Sequence, residues 1–346
     1  MSEPLRPMTL GEILDRTAQL YRRNFLLFAG VSAVPMGGMI AVIVLFGILG
    51  LFAVAAAAAA HGQSNDVLVG VLAVLMFLIA LPLLLAATVY SNGALTFTAA
   101  RVHMGEKPKV KEALKSVTPH FGRYLWLMIL QGIFIGGIPG AIAGGLFLLI
   151  AVLTPGAFSS GGTGFLAGFV LVLIGLATAV VIVFRLLEYV MSFAVCVVEG
   201  KSAWQSLRRA ALLSQGTRGR IFVMFLLIMM LSGAISMAVY IPIVIVMVVV
   251  TALTHGGPAS VVTMVVAEIL NVLLNFVVQT LLTPVYSITL VLFYYDQRVR
   301  KEGFDIEWMM RQAGLEAPPL AVAEAALPAV DPPFGFAAAP DSVGER

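Results

Sequence analysis

The sequence predicts an all-α integral membrane protein with six long transmembrane helices, and two properties of the 346-residue chain carry that prediction. Apolar residues make up 60% of the chain and charged residues only 11%, whereas a soluble fold carries about 25% charged residues. The apolar residues also cluster in runs far longer than the roughly 20 residues that a helix needs to cross a bilayer. These runs lack the period-two alternation of membrane β-strands, so we expect helices.

Six apolar runs follow one another along the chain. The predicted spans are residues 25–60, 67–100, 121–153, 165–198, 221–253 and 261–295. Each run is longer than one span needs and too short for two spans with a turn, so we expect the helices to tilt, kink or project beyond the bilayer. Prolines inside five of the runs are candidate kinks: Pro35, Pro82, Pro139, Pro242 and Pro284.

The basic residues predict the orientation of the spans. Of the 21 lysines and arginines, four precede residue 25, six lie in 101–123, five in 201–220 and five after 296, with Arg185 alone inside a span. The connectors 61–66, 154–164 and 254–260 contain none. Because basic loops stay in the cytoplasm, we expect a multi-pass protein of the bacterial inner membrane with both termini cytoplasmic. This topology accounts for the net charge of +3 without a nucleic-acid partner.

An amphipathic stretch precedes each pair of spans, at residues 8–24, 108–122 and 201–219. Capping boxes open the first and third, at Thr9 with Glu12 and at Ser202 with Gln205. The chain therefore reads as three repeats of an interfacial amphipathic helix and two spans, in units of about 8–100, 108–198 and 201–296. A shorter amphipathic piece at 304–312 ends the membrane domain, 1–312. The Ala- and Pro-rich residues 313–346 predict a disordered cytoplasmic tail.

Three stretches carry a resemblance to a known family: residues 5–25, 185–222 and 284–311. The pair Glu199-Gly200, followed by Arg208 and Arg209, is its most specific part. Together they resemble the bacterial membrane domain of glycerophosphoryl diester phosphodiesterase, over about residues 5–311. The resemblance implies a six-span membrane module, which in some members is fused to a soluble domain that carries out the chemistry. The metal-binding carboxylates and catalytic histidines of that domain have no counterpart in this sequence.

A polar stripe marks the last span. Its members are spaced three, four and four residues apart, within about 80° of helix circumference: Glu268, Asn271, Asn275 and Gln279. Polar side chains within a bilayer face a partner helix or a water-filled cavity. The stripe is therefore either a substrate or proton path, with Glu268 as its ionisable member, or a set of hydrogen bonds between helices.

Two further sets of residues are candidates for contact with lipid or protein. Arg185 and Glu188 share one helix face near the cytoplasmic boundary, where Arg185 either pairs locally and snorkels or contacts a headgroup phosphate. Arg208 and Arg209 lie on the polar face of the third amphipathic stretch. An every-fourth glycine row in the third span predicts close helix packing, within the chain or with another protomer: Gly132, Gly136, Gly140 and Gly144.

No catalytic pattern accompanies these features. The single cysteine, Cys196, excludes an intramolecular disulfide, and the four histidines show no metal-ligand spacing. We therefore expect no metal and no cofactor, with membrane lipids and a cytoplasmic protein as partners. The leading interpretation is a non-enzymatic membrane module that scaffolds or assists a partner protein. The alternative is a transporter or lipid-handling protein that uses the stripe, and a membrane enzyme comes third.

Overall fold

The computed structural model describes residues 6–59, 64–153, 162–253 and 258–312, and within them the regular structure is entirely helical. Six of the helical stretches are long and apolar enough to cross a membrane, as the sequence predicts. The predicted tail, 313–346, lies outside the described residues, as do most of the three uncharged connectors.

Twelve α-helices are described in the following order. They are α1 (Leu10–Arg23), α2 (Phe25–Ala59), α3 (Ser64–His103), α4 (Val110–Val117), α5 (Phe121–Gly132), α6 (Ile138–Leu153), α7 (Gly162–Tyr189), α8 (Ser192–Glu199), α9 (Ala203–Ser214), α10 (Arg218–Leu253), α11 (Pro258–Glu302) and α12 (Phe304–Gln312). A 3₁₀ turn at Thr118–His120 joins α4 to α5, and a π-helical turn at Ile133–Gly137 joins α5 to α6. The first, second, fifth and sixth spans are α2, α3, α10 and α11, whereas α5–α6 and α7–α8 form the third and fourth.

The amphipathic stretches form short helices that lie together at one end of the bundle, which we call the basic end. Both predicted capping boxes are present: Thr9 with Glu12 opens α1, and Ser202 with Gln205 opens α9. The buried faces of these helices include Ile13 and Leu207, which pack into one core with the adjoining ends of the spans. This core fixes the positions of the charged and polar groups around it.

The opposite end of the bundle, which we call the uncharged end, is where the spans adjoin residues 60–63, 154–161 and 254–257. Large apolar side chains such as Phe52, Val152 and Phe165 are exposed near this end. Exposed apolar side chains are the expected surface of a helix that faces lipid.

The fourth span differs from the single helix that the sequence predicts, because it is broken at Val190 and Met191 between α7 and α8. No proline causes the break. The carbonyl oxygen of Tyr189 accepts bonds from Ser192 Oγ at 2.7 Å and from Gln131 Nε2 at 3.0 Å. These side chains satisfy a polar group that the interrupted helix leaves free, and they make the break tolerable inside an apolar segment.

The third span contains a π-helical turn that the sequence signals only through Pro139. Ile138 N–H donates to the carbonyl of Ile133, five residues earlier. Pro139 lacks the N–H that would donate the next hydrogen bond of a regular α-helix. The wider π turn just before it lets the helix continue without that bond. The turn directs Phe134 towards α7 and α9.

The sixth span is longer than its predicted apolar run, since α11 continues from residue 295 to Glu302. Ion pairs one turn apart support this extension: Arg300 Nε lies 3.0 Å from Asp296, and Arg298 Nε lies 3.1 Å from Glu302. Gly303, with a φ of 65°, then separates α11 from α12, as glycine at a helix end commonly does.

Candidate functional site

The three described members of the polar stripe on α11 are exposed rather than buried between helices of this chain. Asn271, Asn275 and Gln279 are all exposed, and Asn275 Nδ2 donates to Asn271 Oδ1 at 3.2 Å. The side chain of Glu268 lies outside the described residues. The amide groups of the stripe are therefore free to bond a molecule or helix that covers this face of α11. The two hypotheses, a substrate or proton path and hydrogen bonds between helices, both stay predictions.

The glycine row of the third span also has no close neighbour. A β-carbon placed at Gly132, Gly136, Gly140 or Gly144 would meet no atom within 4 Å among the described residues. None of the described helices therefore packs closely against the glycine row. Contact with another chain stays a prediction.

Arg185 belongs to a three-residue ion cluster on the side of α7. Its Nη1 lies 3.2 Å from Glu188 Oε2 and 3.4 Å from the hydroxyl of Tyr189. Arg218, at the start of α10, reaches the other oxygen of Glu188 at 3.4 Å. Glu188 therefore compensates two arginines, and the cluster keeps a positive charge.

Arg209 is committed to a second ion network at the basic end. Its guanidinium bonds Glu199 at 2.6 Å and Glu302 at 2.9 Å. Glu199 also accepts from the Tyr294 hydroxyl at 2.9 Å and pairs with Lys201 at 2.8 Å. Burial alone would lower the pKa of Arg209, but its bonds to Glu199 more than offset this and raise it. Arg209 thus joins α8, α9 and α11 and is not free to meet a partner.

A third network, centred on Asp296, holds the start of the chain and was not predicted from the sequence. The fully buried carboxylate of Asp296 accepts from Met8 N at 2.8 Å and from Arg300 Nε at 3.0 Å, and it lies 3.4 Å from Arg220 Nη1. Both arginines also donate to the carbonyl of Met8, at 2.7 and 3.1 Å. The sequence signal for this network is that Asp296 directly follows an apolar run and shortly precedes Arg298 and Arg300. This network locks the segment before α1 onto α10 and α11.

An open groove lies between the π-helical turn, α7 and α9, and we call it the aromatic groove. It is lined by Phe134, Tyr189, Trp204, Leu207, Arg208 and Ala211. The ring of Phe134 lies 5.6 Å from that of Trp204 and 6.1 Å from that of Tyr189, centre to centre. Trp204 is nevertheless 57% exposed. Arg208 is exposed and has no hydrogen bond or ion pair with any described residue. The sequence predicts Arg208 as a candidate residue but none of the three aromatic residues.

In the part of the chain that the structure describes, no group of three or more His, Cys, Asp or Glu side chains lies close enough together to hold a metal ion. Cys196 is buried, with its Sγ 3.5 Å from the carbonyl of Lys201. The arrangement offers instead exposed arginine and aromatic groups at the basic end and exposed amides on α11.

No family model, curated protein or solved structure matches the chain. The resemblance to the membrane domain of glycerophosphoryl diester phosphodiesterase therefore stays a prediction from residues 5–25, 185–222 and 284–311.

Proposed function

We propose that this chain is a non-enzymatic membrane module that scaffolds or assists a partner protein at the inner face of a bacterial cytoplasmic membrane. In this proposal the basic end faces the cytoplasm, in keeping with the positive-inside rule. The three units of one amphipathic helix and two spans then place every amphipathic helix on the cytoplasmic side. The predicted family resemblance, to a module that accompanies soluble enzymes in some proteins, supports this assignment.

The observation that carries the proposal is the exposed apolar face of α12. Ile306, Met309 and Met310 are exposed and, at three- and four-residue spacing, share one face of the helix. Apolar anchors in this pattern are typical of helices that pack against a partner protein, and methionine adapts well to such surfaces.

Helix α12 is fixed in place on its other side. Phe304 is buried against Tyr295, with ring centres 5.9 Å apart, and the guanidinium of Arg298 stacks on Phe304 at 4.1 Å. Trp308 packs against the same phenylalanine at 6.5 Å. An exposed apolar face on an anchored helix has little conformational entropy to lose on binding, which favours a docking role.

Transport or lipid handling is the second candidate, and the exposed amides of Asn271, Asn275 and Gln279 favour it. Amides on the surface of a span need a partner or a water-filled path. A partner helix that covers the stripe would serve the scaffold role, whereas a path along it would serve transport.

The test is native mass spectrometry of the protein extracted gently from its own membrane. We expect a stoichiometric protein partner that is retained by the parent chain and lost from the triple variant Ile306→Gln, Met309→Gln, Met310→Gln. Leu212→Gln, which changes an exposed apolar residue of α9 at the same end, is the matched control and should keep the partner.

Two results would contradict the scaffold proposal. One is the absence of any stoichiometric protein, or a partner that survives the triple substitution on α12. The other is a retained small molecule or lipid that disappears in Asn275→Leu, which would favour transport or lipid handling through the stripe.

A further inference from the structure

We propose that the aromatic groove binds the headgroup of one anionic phospholipid from the leaflet at the basic end. This site is separate from the face of α12 and goes beyond the scaffold role. Arg208 and Arg185 would meet the phosphate of the headgroup, and the rings of Phe134 and Trp204 would pack against the upper parts of the acyl chains.

The shape of the groove depends on two local irregularities of the spans. The π-helical turn brings Phe134 to Trp204, and the break after Tyr189 ends α7 at a residue that lines the groove. The carbonyl of Tyr189 is already satisfied by Ser192 and Gln131, so the break is a stable part of the fold. Single π turns occur frequently at functional sites, and here the turn forms one wall.

Charge favours an anionic occupant. Arg208 lines the groove, and Arg185 bonds the hydroxyl of Tyr189, another lining residue. Arg218 joins Arg185 through their shared partner Glu188. Glu188 is the one acid that pairs within this set, so the cluster keeps an excess positive charge. Arg209, next to Arg208 in sequence, is instead compensated by Glu199 and Glu302. Arg208 is thus a cation held in an open groove without a counter-ion among the described residues.

The apolar surroundings favour a lipid over a soluble phosphate. Leu207 and Ala211 line the groove beside the aromatic rings. One turn before Arg185 along α7, away from the basic end, the side chain of Val181 is exposed. Tryptophan and tyrosine beside arginine, at the end of an apolar span, are typical of the headgroup level of a membrane.

Fluorescence quenching by brominated lipids tests the site directly. The chain has three tryptophans, and the background Trp126→Phe, Trp308→Phe leaves Trp204 as the single probe. The full-length protein is reconstituted in phosphatidylcholine vesicles that contain a fraction of phosphatidylglycerol, with bromine on the acyl chains of one lipid or the other. The ratio of the two quenching constants measures which lipid lies beside Trp204.

We expect phosphatidylglycerol to be preferred beside Trp204. Arg208→Gln should lower this preference by on the order of five-fold, the effect of about one basic residue near a membrane surface, and Arg208→Lys should keep most of it. The double variant Arg22→Gln, Arg23→Gln removes two exposed charges from the same end and is the matched control, with a change well below that of Arg208→Gln.

Three outcomes would overturn the proposal. The first is equal quenching by the two lipids in the parent protein. The second is an equal loss of preference in the Arg22, Arg23 control, which would show attraction to the whole basic end rather than a site. The third is displacement of phosphatidylglycerol by millimolar inorganic phosphate, which would show a site for a soluble anion. Because Arg208 is exposed and makes no bond to described residues, its substitution leaves the fold intact.

Discussion

The two halves of the same six spans are held together differently. Towards the basic end, side chains from all six spans and from α1, α4 and α9 form one buried core, with partly buried ion networks around Glu199 and Asp296. Towards the uncharged end, long apolar side chains are exposed on every span. Because lipid tails are as apolar as leucine, apolar composition alone does not drive helices together within a bilayer. Close packing and polar bonds at the basic end therefore decide the arrangement.

The largest expected effect comes from removing the buried acid of the basic end. Asp296→Ala leaves Met8 N, Arg220 and Arg300 without their shared acceptor. Removing one partner of a fully buried ion pair costs about 3 to 5 kcal/mol, and the partial exposure of Arg220 and Arg300 places the expected cost here at about 3 kcal/mol. We expect the free energy of unfolding, measured by titration with denaturing detergent, to fall by about this amount, and the segment before α1 to become sensitive to protease.

Asp15→Ala is the control for that experiment. Asp15 is an exposed acid on α1 whose carboxylate accepts a bond from Gln19 at 2.7 Å. Exposed polar substitutions usually change stability by less than about 0.5 kcal/mol. Equal losses in the two variants would show that the network around Asp296 does not hold the basic end together.

A matched pair of leucines tests the packing difference itself. Leu292 on α11 is 0% exposed, and Leu173 on α7 is 51% exposed. Both lie in apolar spans, so little transfer energy from water is involved, and the cost of Leu292→Ala is mainly that of the cavity. We expect a loss of about 2 kcal/mol, the lower end of the range for buried leucines, against about 0.5 kcal/mol or less for Leu173→Ala.

The packing difference between the two halves of the spans would be contradicted if the two leucine variants unfolded at the same detergent concentration. That result would mean that Leu173 is covered by another helix, from a second copy or a partner, when the protein is extracted. Crosslinking of the Leu173→Ala protein, before and after dilution, separates this case from a uniformly loose bundle.

Most of the fold was predictable from the sequence because it follows from hydropathy and charge. The six spans, the four amphipathic helices and the capping boxes at Thr9 and Ser202 all depend on local residue types and spacing. The break after Tyr189 was not predictable in this way. It depends on Gln131, 58 residues away in sequence, which bonds the freed carbonyl.

The candidate sites were less predictable, because exposure and pairing are tertiary properties. Arg208 and Arg209 are neighbours with the same side chain, yet Arg209 lies between two glutamates and Arg208 faces an open groove. Asp296 gave no motif, because only Arg300 is a local partner and the others, Met8 and Arg220, come from the start of the chain and from α10. The exposure of Asn275 could not be predicted, because the spacing of the polar residues shows that they share one face of α11 but not whether another helix covers that face.

The smallest expected effect is a difference in pH dependence between two capping boxes of the basic end, at the starts of α1 and α9. In α1, Glu12 accepts from Thr9 N at 2.7 Å and from Arg6 Nη2 at 2.7 Å, and these bonds lower the pKa of Glu12 below its ordinary 4.5. Stabilisation by this carboxylate is therefore fully present above pH 4.5 and is lost as pH falls through the lower pKa of the folded protein. In α9 the same position is Gln205, which does not ionise.

Hydrogen–deuterium exchange, corrected for the intrinsic effect of pH, measures this difference within one molecule. As pH falls from 6 to about 3, we expect protection of the first-turn amides of α1 to decrease relative to those of α9. In Glu12→Gln, which keeps the capping geometry and removes the charge, the two helices should respond alike. A parallel response of α1 and α9 in the parent protein would mean that the bonds of Glu12 to Thr9 and Arg6 do not favour its charged form.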